Sequence, residues 1–141
     1  MMSSKMQSGA VLEDPKVNVR ILIAAFWICH FLLWTFGDML SLLQQENEPI
    51  EDSVILMVAP TTAVVQALMV VFTLMGPVMY VRLANLIVPI VYLLFNIGFL
   101  AEATEAWHYY LGVFYVLFNV LMVWFAWKWP MEDASTEQQS S

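Results

Sequence analysis

The sequence predicts an all-α integral membrane protein, a bundle of four transmembrane helices with antiparallel neighbours. Three observations predict it: the residues are 61% hydrophobic and only 12% charged, they form four long apolar runs, and every Lys and Arg falls on one side of those runs. Soluble domains average about 45–50% apolar and about 25% charged residues. A chain of 141 residues is too small to bury such an excess of apolar surface, so we expect the lipid bilayer to cover it.

The chain divides into a polar N-terminal tail at residues 1–16, a bundle at 17–130 and an acidic tail at 131–141 that we expect to be disordered. The spans are predicted at about 17–44, 53–75, 79–101 and 106–127. Each exceeds the roughly 20 residues that cross about 30 Å of hydrocarbon. Barrel strands would alternate apolar and polar residues, and these runs do not. We expect the first span to be retained, because a signal peptide would bring its apolar region earlier.

The distribution of charge predicts the orientation. Lys5, Lys16 and Arg20 precede the first span, Arg82 lies between the second and third, and Lys128 follows the fourth. Short connections make consecutive spans antiparallel, so all five cations share one side. All charged residues of the first and third loops are acidic, namely Glu46, Glu48, Glu51, Asp52, Glu102 and Glu105. The positive-inside rule therefore predicts a multi-pass protein of the cell membrane with both termini in the cytoplasm.

Charge and composition also exclude several classes of site. A net charge of −7 argues against a nucleic-acid partner, because phosphates are neutralised by clustered Lys and Arg. One cysteine and two histidines supply no ligand set at helical spacing, so neither a metal nor a cofactor is predicted. Cys29, alone in an apolar run, cannot form an internal disulfide.

Each predicted span gathers its polar residues on one stripe, because residues 4, 7 and 11 positions apart return to one face of a helix. The stripes contain His30, Trp34, Gly37 or Asp38, and Ser41 in the first span; Thr62, Gln66, Met69 and Thr73 in the second; Asn85, Pro89, Tyr92 and Asn96 in the third; and His108, Gly112, Tyr115 and Asn119 in the fourth. Lipid cannot satisfy these groups, so we expect the stripes to face one another.

Antiparallel threading sorts these residues by depth. The outer half should hold Asp38, Thr62, Asn96 and His108; the middle His30, Gln66, Tyr92 and Tyr115; and the inner half Thr73, Asn85 and Asn119. The outer layer is therefore the one expected to combine a carboxylate with an imidazole.

Asp38 is the most informative residue. A carboxylate at the centre of a membrane helix costs about 2.5–3.5 kcal/mol, so it marks a functional site by default. No Lys or Arg is expected at its depth; the available partner is His108, with His30 deeper on the same helix and Glu102 at the rim. Such a pair can handle a proton or anchor the amine or hydroxyl of a ligand. The structural alternative, that these polar groups only fix helix packing, stays open.

Three short motifs resemble a known family. They are Gly37-Asp38-Met39-Leu40-Ser41-Leu42, Arg82-Leu83-Ala84-Asn85 and Trp127-Lys128-Trp129-Pro130. In this order they are similar to those of small bacterial four-helix membrane proteins catalogued as a domain of unknown function, over roughly residues 17–130. The resemblance implies the four-helix architecture and Asp38 as a family feature, but no reaction. Relatives carry an acid and a Pro in the second helix, where this chain has Val64-Val65-Gln66-Ala67.

Three functional hypotheses follow. The first is an outward-facing site for a lipid-like or amphipathic small molecule within the bundle; its candidate residues are Asp38, His108, Asn96, Thr62, Gln66, His30 and Glu102. The second is a non-enzymatic accessory or scaffold subunit that associates with other membrane proteins, or with a second copy of itself. The third is a membrane enzyme with Asp38 and His108 as an acid–base pair, which ranks last because no nucleophile motif, phosphate loop or metal set accompanies it.

Overall fold

The structure, a computed structural model, describes residues 16–44 and 53–130. Within them the chain forms α1 (Val19–Gln44), α2 (Ser53–Met75), α3 (Val78–Ala101) and α4 (Ala106–Trp127). The predicted all-α class with four long helices is thus confirmed. Compared with the predicted spans, α1 begins two residues later and α3 one residue earlier. Most of the predicted N-terminal tail, the acidic stretch at 46–52 and the tail at 131–141 lie outside the described residues.

All four helices are long and apolar enough to cross a membrane. The mean hydropathy of their most apolar stretches lies between 1.8 and 2.1. Their outward faces expose large aliphatic side chains such as Leu32, Leu68, Leu94 and Val113. Lipid is as apolar as these side chains, so this exposure is the expected outer surface of a membrane bundle.

The helices do not pack equally on one another. α1 lies against both α2 and α4, and α3 lies against α4, whereas α2 and α3 touch only slightly. The bundle is therefore closed on three of its four sides and loosely closed between α2 and α3. This fourth side is called the α2–α3 seam below.

Two arginines tie the ends of neighbouring helices together. Arg20, near the start of α1, donates from Nη1 to the carbonyls of Gly76 at 2.8 Å, Thr73 at 3.2 Å and Leu74 at 3.4 Å. These carbonyls belong to the last turn of α2 and the residue after it. The last carbonyls of a helix lack intrahelical partners and carry its negative dipole end, so a guanidinium stabilises them.

Arg82, near the start of α3, repeats this arrangement at the end of α4. Its Nε donates to the carbonyl of Ala126 at 3.1 Å, and its Nη2 donates to that of Trp127 at 3.3 Å. We call these two sets of contacts the arginine clasps. They join α1 to α2 and α3 to α4, each at the end where the cations lie.

The inward stripes agree with the sequence on three helices. α3 buries all four predicted members and α4 buries three, while His108 is half-buried. On α2 the predicted residues are buried except Thr62, which is half-buried. On α1 the structure separates the two alternatives: Gly37 is buried against the neighbouring helices, and Asp38, one residue further round, is exposed beside them.

Candidate functional site

One side chain from each helix meets at the centre of the bundle. His30 of α1 contacts Oε1 of Gln66 through Nδ1 at 2.6 Å. Its Nε2 lies 3.4 Å from Nδ2 of Asn96 and 3.1 Å from Nδ2 of Asn119. All four side chains are at most 1% exposed. We call this group the polar hub.

The hydrogen-bond partners of His30 determine which of its ring nitrogens carries the proton. Asn96 and Asn119 both direct an amide NH₂ at Nε2, and an amide nitrogen only donates, so Nε2 accepts. The proton therefore sits on Nδ1 and is donated to Gln66. In this neutral form the imidazole uses both of its nitrogens. Two hub atoms, Gln66 Nε2 and Asn119 Oδ1, have no hydrogen-bond partner within 16–44 and 53–130.

Aromatic rings enclose the hub. Trp27, Trp34, Tyr92 and Tyr115 all have ring centroids within 5.3 to 6.2 Å of the His30 ring. Packed rings exclude both lipid and water, and an imidazole in such surroundings keeps its hydrogen bonds because no other partner can replace them. This arrangement favours the structural interpretation of His30.

A second set of hydrogen-bonded side chains lies between the polar hub and the arginine clasps. Asn85 of α3 accepts a hydrogen bond from Trp27 Nε1 at 2.7 Å and donates one to Thr73 Oγ1 at 3.0 Å. All three residues are fully buried. This group, the Asn85 bridge, connects α1 and α2 to α3 across the interior, where α2 and α3 hardly touch directly.

Two residues with different predicted depths meet the same side chain in the structure. The sequence predicts Asn96 in the outer half and Asn119 in the inner half, and both side chains contact His30, which it predicts in the middle. The expected grouping of Thr73 with Asn85 agrees with the structure.

Asp38 borders a cavity of about 220 Å³ between α1, α3 and α4. The lining residues are Trp34, Gly37, Asp38, Ser41, Phe95, Asn96, Phe99 and Tyr115. Asp38 is the only acidic residue among them, and Asn96 joins this Asp38 cavity to the polar hub. The carboxylate lies six residues before the end of α1, about 9 Å along the helix axis.

Gly37 sets the shape of this cavity. A Cβ atom at Gly37 would collide with the hydroxyl of Tyr115. That hydroxyl donates to the carbonyl of Leu33 at 2.9 Å, one turn earlier on α1. The absence of a side chain at Gly37 therefore allows the Tyr115 hydroxyl to reach α1, and Tyr115 forms one wall of the cavity.

We expect Gly37→Ala to lower the free energy of unfolding by about 1–2 kcal/mol, because the added methyl group overpacks the site and pushes Tyr115 off Leu33. The control is Gly98→Ala, where the new Cβ meets nothing within 4 Å and the better helix propensity of alanine should leave stability equal or slightly higher. Unfolding in mixed micelles, followed by circular dichroism, compares them. Equal stability of the two variants would contradict this role of Gly37.

The other predicted site residues lie outside the Asp38 cavity. His108 belongs to the capping box at the start of α4, where its Nδ1 accepts from the backbone N–H of Glu105 at 3.3 Å. No hydrogen bond joins it to Asp38 within the described residues, so the expected pair is not formed. His108 instead packs against Phe99, a cavity wall, with ring centroids 5.0 Å apart. Glu102 caps the end of α3 and borders a separate shallow groove.

Comparison with protein-family models, with curated proteins and with solved structures found no match to this chain.

Thr62 lies at the α2–α3 seam. An apolar groove of about 440 Å³ runs along this seam, lined by Met57, Val58, Thr61, Thr62, Val65, Val88, Val91, Tyr92 and Phe95. The hydroxyl of Thr62 bonds to Ala59 of its own helix, and its carbonyl accepts from Tyr92 at 2.6 Å. Thr62 therefore presents little free polarity to the groove.

Phe95 lines both the seam groove and the Asp38 cavity. Neither Phe95 nor Phe99 is among the site residues predicted from the sequence. Their spacing of four places them on one face of α3, but a phenylalanine facing a cavity and one facing lipid have the same sequence pattern. Trp34 and Tyr115 are predicted to face inward but not to line a site.

Proposed function

We propose that this multi-pass membrane protein binds a lipid-like or amphipathic small molecule in the Asp38 cavity. The observation that carries the proposal is a carboxylate on a membrane-length helix that borders a mostly apolar cavity between three helices. Small-molecule sites commonly combine apolar walls with a few polar groups that orient the ligand. His108 contributes indirectly in this proposal, by supporting the Phe99 wall.

The proposal includes the orientation of the bundle, with antiparallel neighbours, both termini in the cytoplasm and the Asp38 cavity toward the outer side. Its support is the arginine clasps, in which the start of α1 meets the end of α2 and the start of α3 meets the end of α4. Arg20 also lies 5.7 Å from the ring of Trp129, just after α4. Positive charge at one end of a bundle favours the cytoplasmic side.

Membership of the four-helix family described above is also a proposal. Its support is that two of the motifs contact each other and that residues of the motifs form interhelical hydrogen bonds. Arg82 of the second motif donates to the carbonyl of Trp127 in the third, and Asn85 of the second forms the Asn85 bridge. Asp38 of the first motif borders the proposed binding cavity.

Native mass spectrometry of the gently detergent-purified protein tests the binding proposal. We expect the wild type to retain a small molecule of fixed mass and Asp38→Asn to lose it, because the amide keeps the volume of the carboxylate but not its charge. The control is Glu105→Gln, which removes the same charge outside the cavity and keeps an acceptor for the helix cap. Circular dichroism should show the same helix content in all three proteins.

Two results would contradict the binding proposal. One is a bare bundle in the wild type, and the other is the same retained molecule in Asp38→Asn. A wild type that carries only another protein, or a second copy of itself, would favour the accessory or scaffold hypothesis.

A further inference from the structure

The walls of the Asp38 cavity are chiefly aromatic. Trp34, Phe95, Phe99 and Tyr115 contribute rings from three helices. The Tyr115 ring centroid is 5.7 Å from that of Trp34 and 6.3 Å from that of Phe99, so these three rings form one continuous surface. Aromatic faces carry negative electrostatic potential and attract organic cations, most effectively where water is excluded.

The protein offers Asp38 no cationic partner of its own in the described residues. Arg20 lies eighteen residues away on the same helix, about 27 Å along its axis, and it is engaged with the end of α2. Arg82 is engaged with the end of α4. Lys16 precedes α1 and Lys128 follows α4, so both lie at the end of the bundle that carries the arginine clasps. A carboxylate within a membrane helix is strongly favoured when it has a counter-ion, and a ligand can supply one here.

The remaining polar groups of the cavity indicate which kind of cation fits. The hydroxyl of Ser41 donates to Gly37, and that of Tyr115 donates to Leu33. The Nδ2 of Asn96 is directed at His30. These contacts occupy the donor hydrogens of both hydroxyls, so the aromatic walls decide the choice: four rings suit a cation that is surrounded by alkyl groups. A fully alkylated ammonium has no N–H groups and needs only a counter-charge and apolar or aromatic contact.

The volume of the Asp38 cavity indicates which part of an amphiphilic ligand it can hold. Pockets for whole drug-sized ligands span about 300–1,000 Å³, and the Asp38 cavity has only about 220 Å³. It therefore holds a head group. The apolar groove of the α2–α3 seam, about 440 Å³, shares the Phe95 wall with the cavity. An alkyl chain that extends past Phe95 would lie in this groove.

We propose that the ligand is a cationic amphiphile whose alkylated ammonium head lies in the Asp38 cavity and whose tail lies in the α2–α3 seam. This inference rests on the proposed binding function and specifies the chemical class of its ligand. Asp38 supplies the counter-charge, and the four rings enclose the alkyl groups on nitrogen.

Isothermal titration of the full chain in neutral maltoside micelles tests this proposal with two probes of equal chain length. Dodecyltrimethylammonium is cationic, and dodecyldimethylamine oxide at pH 8 has no net charge. We expect saturable one-to-one binding of the cation, at least about tenfold tighter than binding of the amine oxide, which corresponds to about 1.4 kcal/mol. Asp38→Asn in the same micelles should remove this preference, and Glu105→Gln should retain it.

Two further variants keep the test valid if Asp38→Asn fails to fold. Phe95→Leu removes a ring that borders both the cavity and the seam, and it should weaken binding of the cation more than binding of the amine oxide. Phe36→Leu changes an exposed ring that does not line the cavity, and it should leave both affinities unchanged.

The outcomes separate this inference from the binding proposal. Equal affinity for the two probes, or a cation preference that survives in Asp38→Asn, would overturn the inference. If native mass spectrometry at the same time finds a retained uncharged molecule that Asp38→Asn loses, the binding function stands with a different ligand class. If neither probe binds and the wild type is bare, both proposals fail.

Discussion

We expect His30→Leu to lower the free energy of unfolding by about 3 kcal/mol. The substitution removes three interhelical contacts, to Gln66, Asn96 and Asn119, and such hydrogen bonds contribute roughly 1 kcal/mol each in membrane bundles. It also leaves three amides buried without their common partner. Unfolding in mixed micelles, followed by circular dichroism, measures the loss.

The matched control is His108→Leu, the same change in the other histidine. His108 is half-buried, and its polar contact is the capping box of α4, which is worth about 1 kcal/mol. A smaller loss in His30→Leu than in His108→Leu would show that the polar hub does not hold the bundle together. Adding Gln66→Leu to His30→Leu should cost less than the sum of the two single changes, because the two partners are then removed together.

Asn85→Leu should be the second most damaging change, at about 2 kcal/mol. It removes the bonds to Trp27 and Thr73 and leaves the indole N–H of Trp27 buried without a partner. The Asn85 bridge also holds α2 to α3, which share little direct contact. We therefore expect the variant to expose the α2–α3 seam before the rest of the bundle unfolds, visible as faster hydrogen exchange in α2 than in α4.

Two comparisons make this second prediction specific. Gln44→Leu replaces an exposed amide at the end of α1 and should leave stability nearly unchanged. A double-mutant cycle of Asn85→Leu with Thr73→Val should show a coupling of at least about 0.5 kcal/mol. Strict additivity in the cycle would mean that the hydrogen bond between these two side chains carries no stability.

The fold could be predicted from the sequence because a membrane imposes simple rules. Every backbone polar group must be satisfied within a segment, so a long apolar run can only be a helix. The faces of the helices that turn inward could be predicted from the same constraint, because lipid cannot satisfy polar side chains either. Asn85, Tyr92 and Asn96 recur at helical spacing on α3, and all of them are buried. Burial of polar groups is therefore readable from their periodicity wherever the alternative is lipid.

The site could be predicted only in part, because sequence spacing gives rotation about a helix axis more accurately than depth along it. Helix spacing predicts Asn96 and Asn119 in different layers, and both side chains reach His30. The expected pairing of Asp38 with His108 is not formed for a different reason, because His108 caps the start of α4. Phe95 could not be distinguished from a lipid-facing phenylalanine without its neighbours from other helices.

The arginine clasps have a consequence for how the bundle is assembled. Each clasp joins two helices that are consecutive in the chain, Arg20 between α1 and α2 and Arg82 between α3 and α4. Each helical hairpin can thus be closed by its own arginine as it enters the bilayer, without waiting for the other. We therefore expect folding to divide into two local insertions and one later docking step, in which the amides of α3 and α4 meet His30. A chain that loses the hub should accordingly still insert both closed hairpins, and its loss of stability should fall on the docking of α1 against α4.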